Sequence, residues 1–456
     1  MMPPAALCVH LCIGQCYAFS VFNIPMTKLL GISAAPPPGG WNLDKLATIP
    51  SAPGDWTLPE LGWIFSIAIF VLGMAAASLG RWVEQSGPRA AMFTAALCWS
   101  CGFFISALGA FVHNIWLIYF GYGVIGGIGL GIGYISPVST LVKWFPDRPG
   151  MATGMAIMGF GGAALIASPL SVWLMRIFTT QNHIGVAETF LVMGVVYLLY
   201  MMVGAWIVRI PPADWKPSGF VASKASALIT DRHVFVYTAL KTPQFWLIWW
   251  ILCLNVTAGI GVLGQASAMS QEMFPNHVST VAAAGFVGLM SLFNMGGRFF
   301  WSSVSDLIGR RNTYTIFFVL GALLYAFVPM TGEIGNVVLF VLSYALIFSM
   351  YGGGFATVPA YLKDMFGTRF IGAIHGMLLT AWSVAGIAGP VLVNYLREYN
   401  VTHGVPKAES YNSTMYIMAG FLLVGFFCNL FVRPVHERHH MAADESVPKP
   451  AEVQVE

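Results

Sequence analysis

Apolar runs of about 20 residues, each ended by charged or turn-forming positions, recur along nearly the whole chain. A run of that length spans a hydrocarbon core roughly 30 Å thick as a helix. Inside lipid, a helix is the form in which a single segment satisfies all its own backbone groups. The pattern predicts an all-α membrane protein with twelve helices, near 4–31, 59–80, 89–111, 115–143, 150–177, 186–209, 243–269, 279–304, 312–330, 335–362, 370–396 and 411–432. The stretch from Ile210 to Thr242 breaks the rhythm, being polar and carrying Lys216, Lys224, Arg232 and Lys241. It is read as a linker over 211–242 that divides a six-helix half (1–210) from a second (243–433), and residues 434–456 are read as a solvated tail.

Loops, where hydropathy does not dictate the residues, reveal a repeat. Glu84, Gly87 and Arg89 in GRWVEQSGPR return 222 residues later as Asp306, Gly309 and Arg311 in SSVSDLIGRR, and Pro137, Gly150 and Gly154 return at the same offset as Pro359, Gly372 and Gly376. Two matches in separate loops at one offset imply a six-helix unit duplicated in the same orientation. That is a plan of transporters whose binding site lies between the halves near the bilayer midplane.

Composition narrows the function. With 57% hydrophobic and 9% charged residues, against about 25% charged in soluble domains, the lipid bilayer is the main solvent. The net charge of +3 is scattered, so nucleic acid is excluded as a partner. Seven cysteines, an odd number within apolar runs, read as packing residues. Cys8, Cys12 and Cys16 share a helix face and Cys98 and Cys101 form a CxxC, but no ligand cluster accompanies them, so neither a metal nor a cofactor is expected. Acids confined to loops and isolated histidines give no enzyme constellation, and no GxxxxGK[ST] loop is present to cradle a nucleotide. Of the 22 lysines and arginines, sixteen fall on the side of the first residue, five on the other and one inside a helix. That bias predicts both termini in the cytoplasm. The first run lacks a basic start and a cleavage site, which predicts a retained helix and fits a bacterial inner membrane.

The pattern GxxxExxGxR after the second helix, echoed after the eighth, places an acid and a base across a glycine turn. There Glu84, Gly87 and Arg89, with Asp306, Gly309, Arg310 and Arg311, are candidate gate residues that pair with each other and with helix ends. This signature resembles the one carried by the major facilitator superfamily. GYGVIGGIGLGIGYISPVSTLVKWFPDRPGMATG, KTPQFWLIWWILCLNVTAGI, NMGGRFFWSSVSDLIGRR and YGGGFATVPAYLKDMFG resemble its oxalate/formate antiporter branch, which is related to the monocarboxylate transporters. The resemblance spans most of helices four to eleven and implies the twelve-helix major facilitator fold.

Arg298 is the single Lys or Arg inside an apolar run. Such a cation costs at least roughly 2.5–3.5 kcal/mol without a partner, and no acid lies at its depth. Its partner is then the transported anion, unless the side chain snorkels toward the loop that holds Asp306. The resemblance implies the same anchor role, since the aligned arginine contacts the carboxylate. Asn294, one turn earlier, is placed to orient the guanidinium, and where related transporters can hold a titrating acid, this amide cannot titrate. Gln15, Tyr17, Tyr134, Tyr351 and Phe355 are candidates for the cavity wall, or else packing residues. At Trp382 the oxalate-exchanging relatives carry a lysine. A dicarboxylate wants roughly two cations in a low-dielectric cavity, so one arginine favours a monocarboxylate such as formate, lactate, pyruvate or acetate. Trp382 then narrows the cavity or stacks on the substrate. His10 and His375 are further titratable candidates, or plain polar residues near helix ends. The expectation is a secondary transporter of a small carboxylate by alternating access, exchanging anions or carrying protons. Oxalate/formate antiport and a non-transporting sensor on the same fold are the alternatives, and the oligomeric state stays open, a monomer included.

Overall fold

The computed structural model describes residues 2–34, 42–43, 46, 49–212, 215, 229–230, 232–263, 265–275, 277–278 and 280–441. Most of the expected linker, with Lys216 and Lys224, and the tail beyond Met441 lie outside the described residues. Within them the helices are α1 (Met2–Met26), α2 and α3 (58–86 and 88–111), α4 (Ile115–Trp144), α5 (Pro149–Phe178), α6 (Val186–Ile207), α7 (Pro243–Leu263), α8 (Thr280–Ile308), α9 (Arg310–Ile334), α10 (Val337–Phe366), α11 (Ile371–Thr402) and α12 (Asn412–Phe431). Large apolar side chains such as Trp116, Trp206, Leu323 and Phe431 point outward, as a lipid-facing surface requires.

Leu58–Phe111 is one helical path of 54 residues, about 80 Å if straight and so far longer than one crossing. Gly87 breaks it with φ at 79°, a left-handed conformation that favours glycine, and Pro88 follows. The expected loop between α2 and α3 is therefore a hinge at one residue. α1 tightens into a 3-10 helix over Gly14–Phe22, which places Gln15 and Tyr17 on a different rotation from a regular helix. α7 stops at Leu263, short of the expected 269, and a short helix, Ala266–Met273, continues from it. There Glu272 receives the Arg397 guanidinium of α11, with Nε at 3.0 Å, and the Tyr411 hydroxyl at 2.7 Å. Burial works to raise the Glu272 carboxyl, but the Arg397 and Tyr411 bonds outweigh it and hold the group below its ordinary value. Of the expected tail, the described residues up to Met441 stay largely exposed but are tied to the segment before α7: Val234 pairs with His440, and the Met441 N–H donates to the His233 carbonyl at 2.8 Å.

The halves meet along two seams, α5 against α8 and α2 against α11, and small residues let them approach closely. A Cβ on Gly154 would lie 2.8 Å from the Arg298 carbonyl oxygen, and one on Gly376 would lie 2.1 Å from the Ala76 carbonyl oxygen. A Cβ on Gly296, by contrast, would meet nothing within 4 Å among the described residues.

Two tests follow. Gly376→Val is expected to lower the melting temperature of the purified protein in detergent, since overpacking costs about 1–3 kcal/mol, while Gly296→Val leaves it nearly unchanged; equal effects would contradict the seam. The Glu272 clamp is expected to hold above the ordinary carboxylate range and to be lost as pH falls through the lowered value, so Glu272→Gln should abolish a cooperative acid-induced loosening that hydrogen exchange would map to the Ala266–Met273 helix.

Candidate anion site and its latch

Arg298 projects from α8 into the seam and is fully buried. Its Nε donates to Asn294 Oδ1 at 3.0 Å and its Nη1 to the Ile157 carbonyl at 3.5 Å. No carboxylate pairs with it among the described residues. Two aromatic faces flank it instead: Phe160 of α5, with Cζ 5.6 Å from the ring centroid, and Phe355 of α10, at 5.2 Å. Such faces attract a cation by about 0.5–2 kcal/mol each, which offsets part of the desolvation. The snorkelling alternative fails, because a snorkelling side chain ends in water and this one does not. Nη2 has no hydrogen-bond partner among the described residues.

Trp382 lies against the same two rings, 4.5 Å from Phe355 and 5.5 Å from Phe160, and its Nε1 is buried without a partner among the described residues. Tyr134 stands edge-on to Phe160 at 5.4 Å and 5.2 Å from Trp382, with its buried hydroxyl within reach of the guanidinium. Tyr17 and Tyr351 touch hydroxyl to hydroxyl at 3.3 Å, and each packs on a ring of the sandwich, Tyr17 on Phe160 and Tyr351 on Phe355. Six of the expected wall and anchor residues thus converge with Asn294 on one box. Gln15 is not brought to it: its Oε1 accepts from Tyr122 at 2.8 Å, within packing that includes Trp99 and Phe103. Phe160 is not among the residues the sequence singles out, although it lies 222 residues before Trp382 and the repeat could have flagged it. His10 and His375 are both buried and both pack near Tyr134, with ring centroids at 5.5 and 5.9 Å, and His375 does lie near the start of α11. The box therefore offers an anion one guanidinium edge plus the Tyr134 and Trp382 donors, between apolar walls.

Asp306 sits about 12 Å along α8 from Arg298 at helical rise. Asp306 accepts the Gly150 N–H at 2.9 Å and the Met151 N–H at 2.8 Å, at the N-terminus of α5 in the opposite half. Glu84 does the same for α11, accepting the Gly372 N–H at 2.8 Å. Each acid complements the positive end of a helix dipole across the seam. The expected pairing of Glu84 with Arg89 does not occur. Arg89 donates to the Trp206 carbonyl at the end of α6, and Arg311 to the Leu430 carbonyl at the end of α12, so both cap helices of their own half. Gly309, with φ at 86°, repeats the hinge of Gly87. Arg310 binds Asp306 at 2.6 Å and Asp364 at 3.0 Å. The position 222 residues earlier holds Pro88, so the Glu84 latch lacks this reinforcement.

The chain is 26% identical to the oxalate:formate antiporter of Oxalobacter formigenes, over 84% of this chain and 81% of that protein. It is 23% identical to apicoplast pyruvate carrier 1 of Toxoplasma gondii, over 96% and 90% respectively, and 25% identical to monocarboxylate transporter 4 of Rattus norvegicus, over 81% and 75%. Among solved structures it is similar to the Escherichia coli fucose:proton symporter FucP, with a TM-score of 0.62 at 12% identity, covering 95% of this chain and 99% of that one. Its residues 5–390 match the profile of the Major Facilitator Superfamily, and with twelve helices in two halves meeting at these seams the chain belongs to that family.

Proposed function

We propose that the protein carries a small organic anion with one carboxylate across a membrane by alternating access, anchored by Arg298. The carrying observation is a fully buried guanidinium that has no acidic partner among the described residues and one edge free. An anion is the partner that most lowers the energy of such a charge. The names of the relatives support the class, since they include an oxalate:formate antiporter, a pyruvate carrier and a monocarboxylate transporter. Trp382 supports one carboxylate over two, because it fills the box with an apolar ring beside a single cation. We further assign the latch face, with both termini, to the cytoplasm of a bacterial inner-membrane protein; with the latch closed the box is shut off from water. The two halves then rock about the box, and Glu84 and Asp306 release their helix ends when the cytoplasmic face parts.

Uptake of radiolabelled formate, lactate, pyruvate and oxalate into proteoliposomes tests the anchor. Arg298→Ala is expected to reduce kcat/KM for the transported anion by more than tenfold, since removing one partner of a buried charge pair costs about 2–5 kcal/mol, and Arg298→Lys to restore part of it. Normal transport by Arg298→Ala would make the residue structural. For the latch, a single cysteine at Thr153 in a cysteine-free background reports opening. Asp306→Asn should raise its labelling by an impermeant thiol reagent several-fold from the latch face, the loss of a partly buried helix-end charge being worth roughly 1–2 kcal/mol. Arg89→Ala should leave labelling unchanged, and the reverse order would sink the assignment.

A further inference from the structure

His10 is fully buried on α1 and takes no part in holding the guanidinium. Its Nδ1 lies 3.3 Å from the Ala6 carbonyl oxygen one turn earlier. A carbonyl only accepts, so with Nδ1 donating to it the neutral ring keeps its lone pair on Nε2; the Tyr134 backbone carbonyl also acts on the ring. Nε2 has no hydrogen-bond partner among the described residues. Its surroundings are specific. α4 presents Tyr134, edge-on at 5.5 Å; α8 presents Arg298 and α11 His375, both within electrostatic reach. α5 presents Gly159, whose Cβ position abuts the His10 Cβ, and α6 turns Tyr197 and Tyr200 to Cys12 and Cys8 instead. No carboxylate acts on the ring among the described residues.

We propose that His10 Nε2 binds a proton that travels with the anion, a coupling that rests on Arg298 being the anchor. The argument is one of charge. The empty box holds one cation, and a proton added alone would put a second beside it where water is excluded, which costs several kcal/mol. An anion on Arg298 cancels the first charge and makes room for the imidazolium. Anion and proton therefore enter together, and the loaded box has the same net charge as the empty one. A proton from hydronium, or from the acid form of the substrate, moves to Nε2: the donor O–H bond breaks, leaving water or the carboxylate, as the N–H bond forms, and on the opposite face the N–H bond breaks and the proton passes to water. Both carriers, loaded and empty, then reorient with the same charge.

The test uses the full-length protein in proteoliposomes with radiolabelled pyruvate and a trapped pH dye. An acid exterior should drive pyruvate accumulation with lumen acidification by the wild type. In His10→Gln both should fall about tenfold or more, because the amide does not titrate, while pyruvate-for-pyruvate exchange at symmetric pH persists. His375→Gln should keep gradient-driven accumulation. Wild-type exchange without lumen acidification, or His10→Gln and His10→Asn that both still follow the gradient, would overturn the coupling and leave Arg298 as anchor. Loss of exchange in both His10 variants would overturn it too, as the mark of a structural residue. No pyruvate movement of any kind by the wild type, with none for the other carboxylates, would remove the anchor itself.

Discussion

Burying an arginine between membrane helices costs several kcal/mol unless its surroundings answer the charge, and the region around Arg298 is arranged to do so without an acid. Asn294 and the Ile157 carbonyl take two of its donors, Phe160 and Phe355 give it a face each, and one edge is left over. Each half supplies one of the two rings, so the charge is comfortable only when the halves are together. The tyrosines, Trp382 and the small-residue seams can be understood as the means of bringing two rings from opposite halves to the same guanidinium.

The duplicated plan persists in space, and its exceptions are informative. Gly154 closes on the Arg298 carbonyl as Gly376 closes on that of Ala76, its counterpart in the repeat. Asp306 grips α5 as Glu84 grips α11. Arg89 and Arg311 cap equivalent helices. The symmetry breaks where Ala76 faces Arg298 and where Pro88 faces Arg310. The shared positions are those that backbone approach or helix ends demand. At the two that differ the charge lies in the C-terminal half alone.

Much of this was readable from residues, and the limits have physical causes. Helix number and the repeat followed from hydropathy and from loops, and Arg298 from the cost of a charge in an apolar run. Phe160 stayed hidden because lipid and protein interior are equally apolar, so a phenylalanine in a membrane helix does not announce which side it faces. Gln15 was misplaced for a related reason: α1 leaves regular helical rotation at Gly14, and a periodicity argument cannot see that. The separate duties of Glu84 and Arg89 needed the fold, since neighbours in a motif bind partners far away in sequence.

The clamp of Glu272, Arg397 and Tyr411 has a mechanical meaning once α11 is followed along its length. The helix begins at Gly372 and its neighbours, held by Glu84 on one face of the molecule, and near its other end Arg397 ties it to the extension of α7 and to α12. Fastened at both ends, with a break at Leu379 and Pro390 further along, the helix passes a shift at one end to the other through those joints. The two faces of the protein are thus joined by a lever, and movement at one aperture is felt at the opposite one through a single piece of backbone.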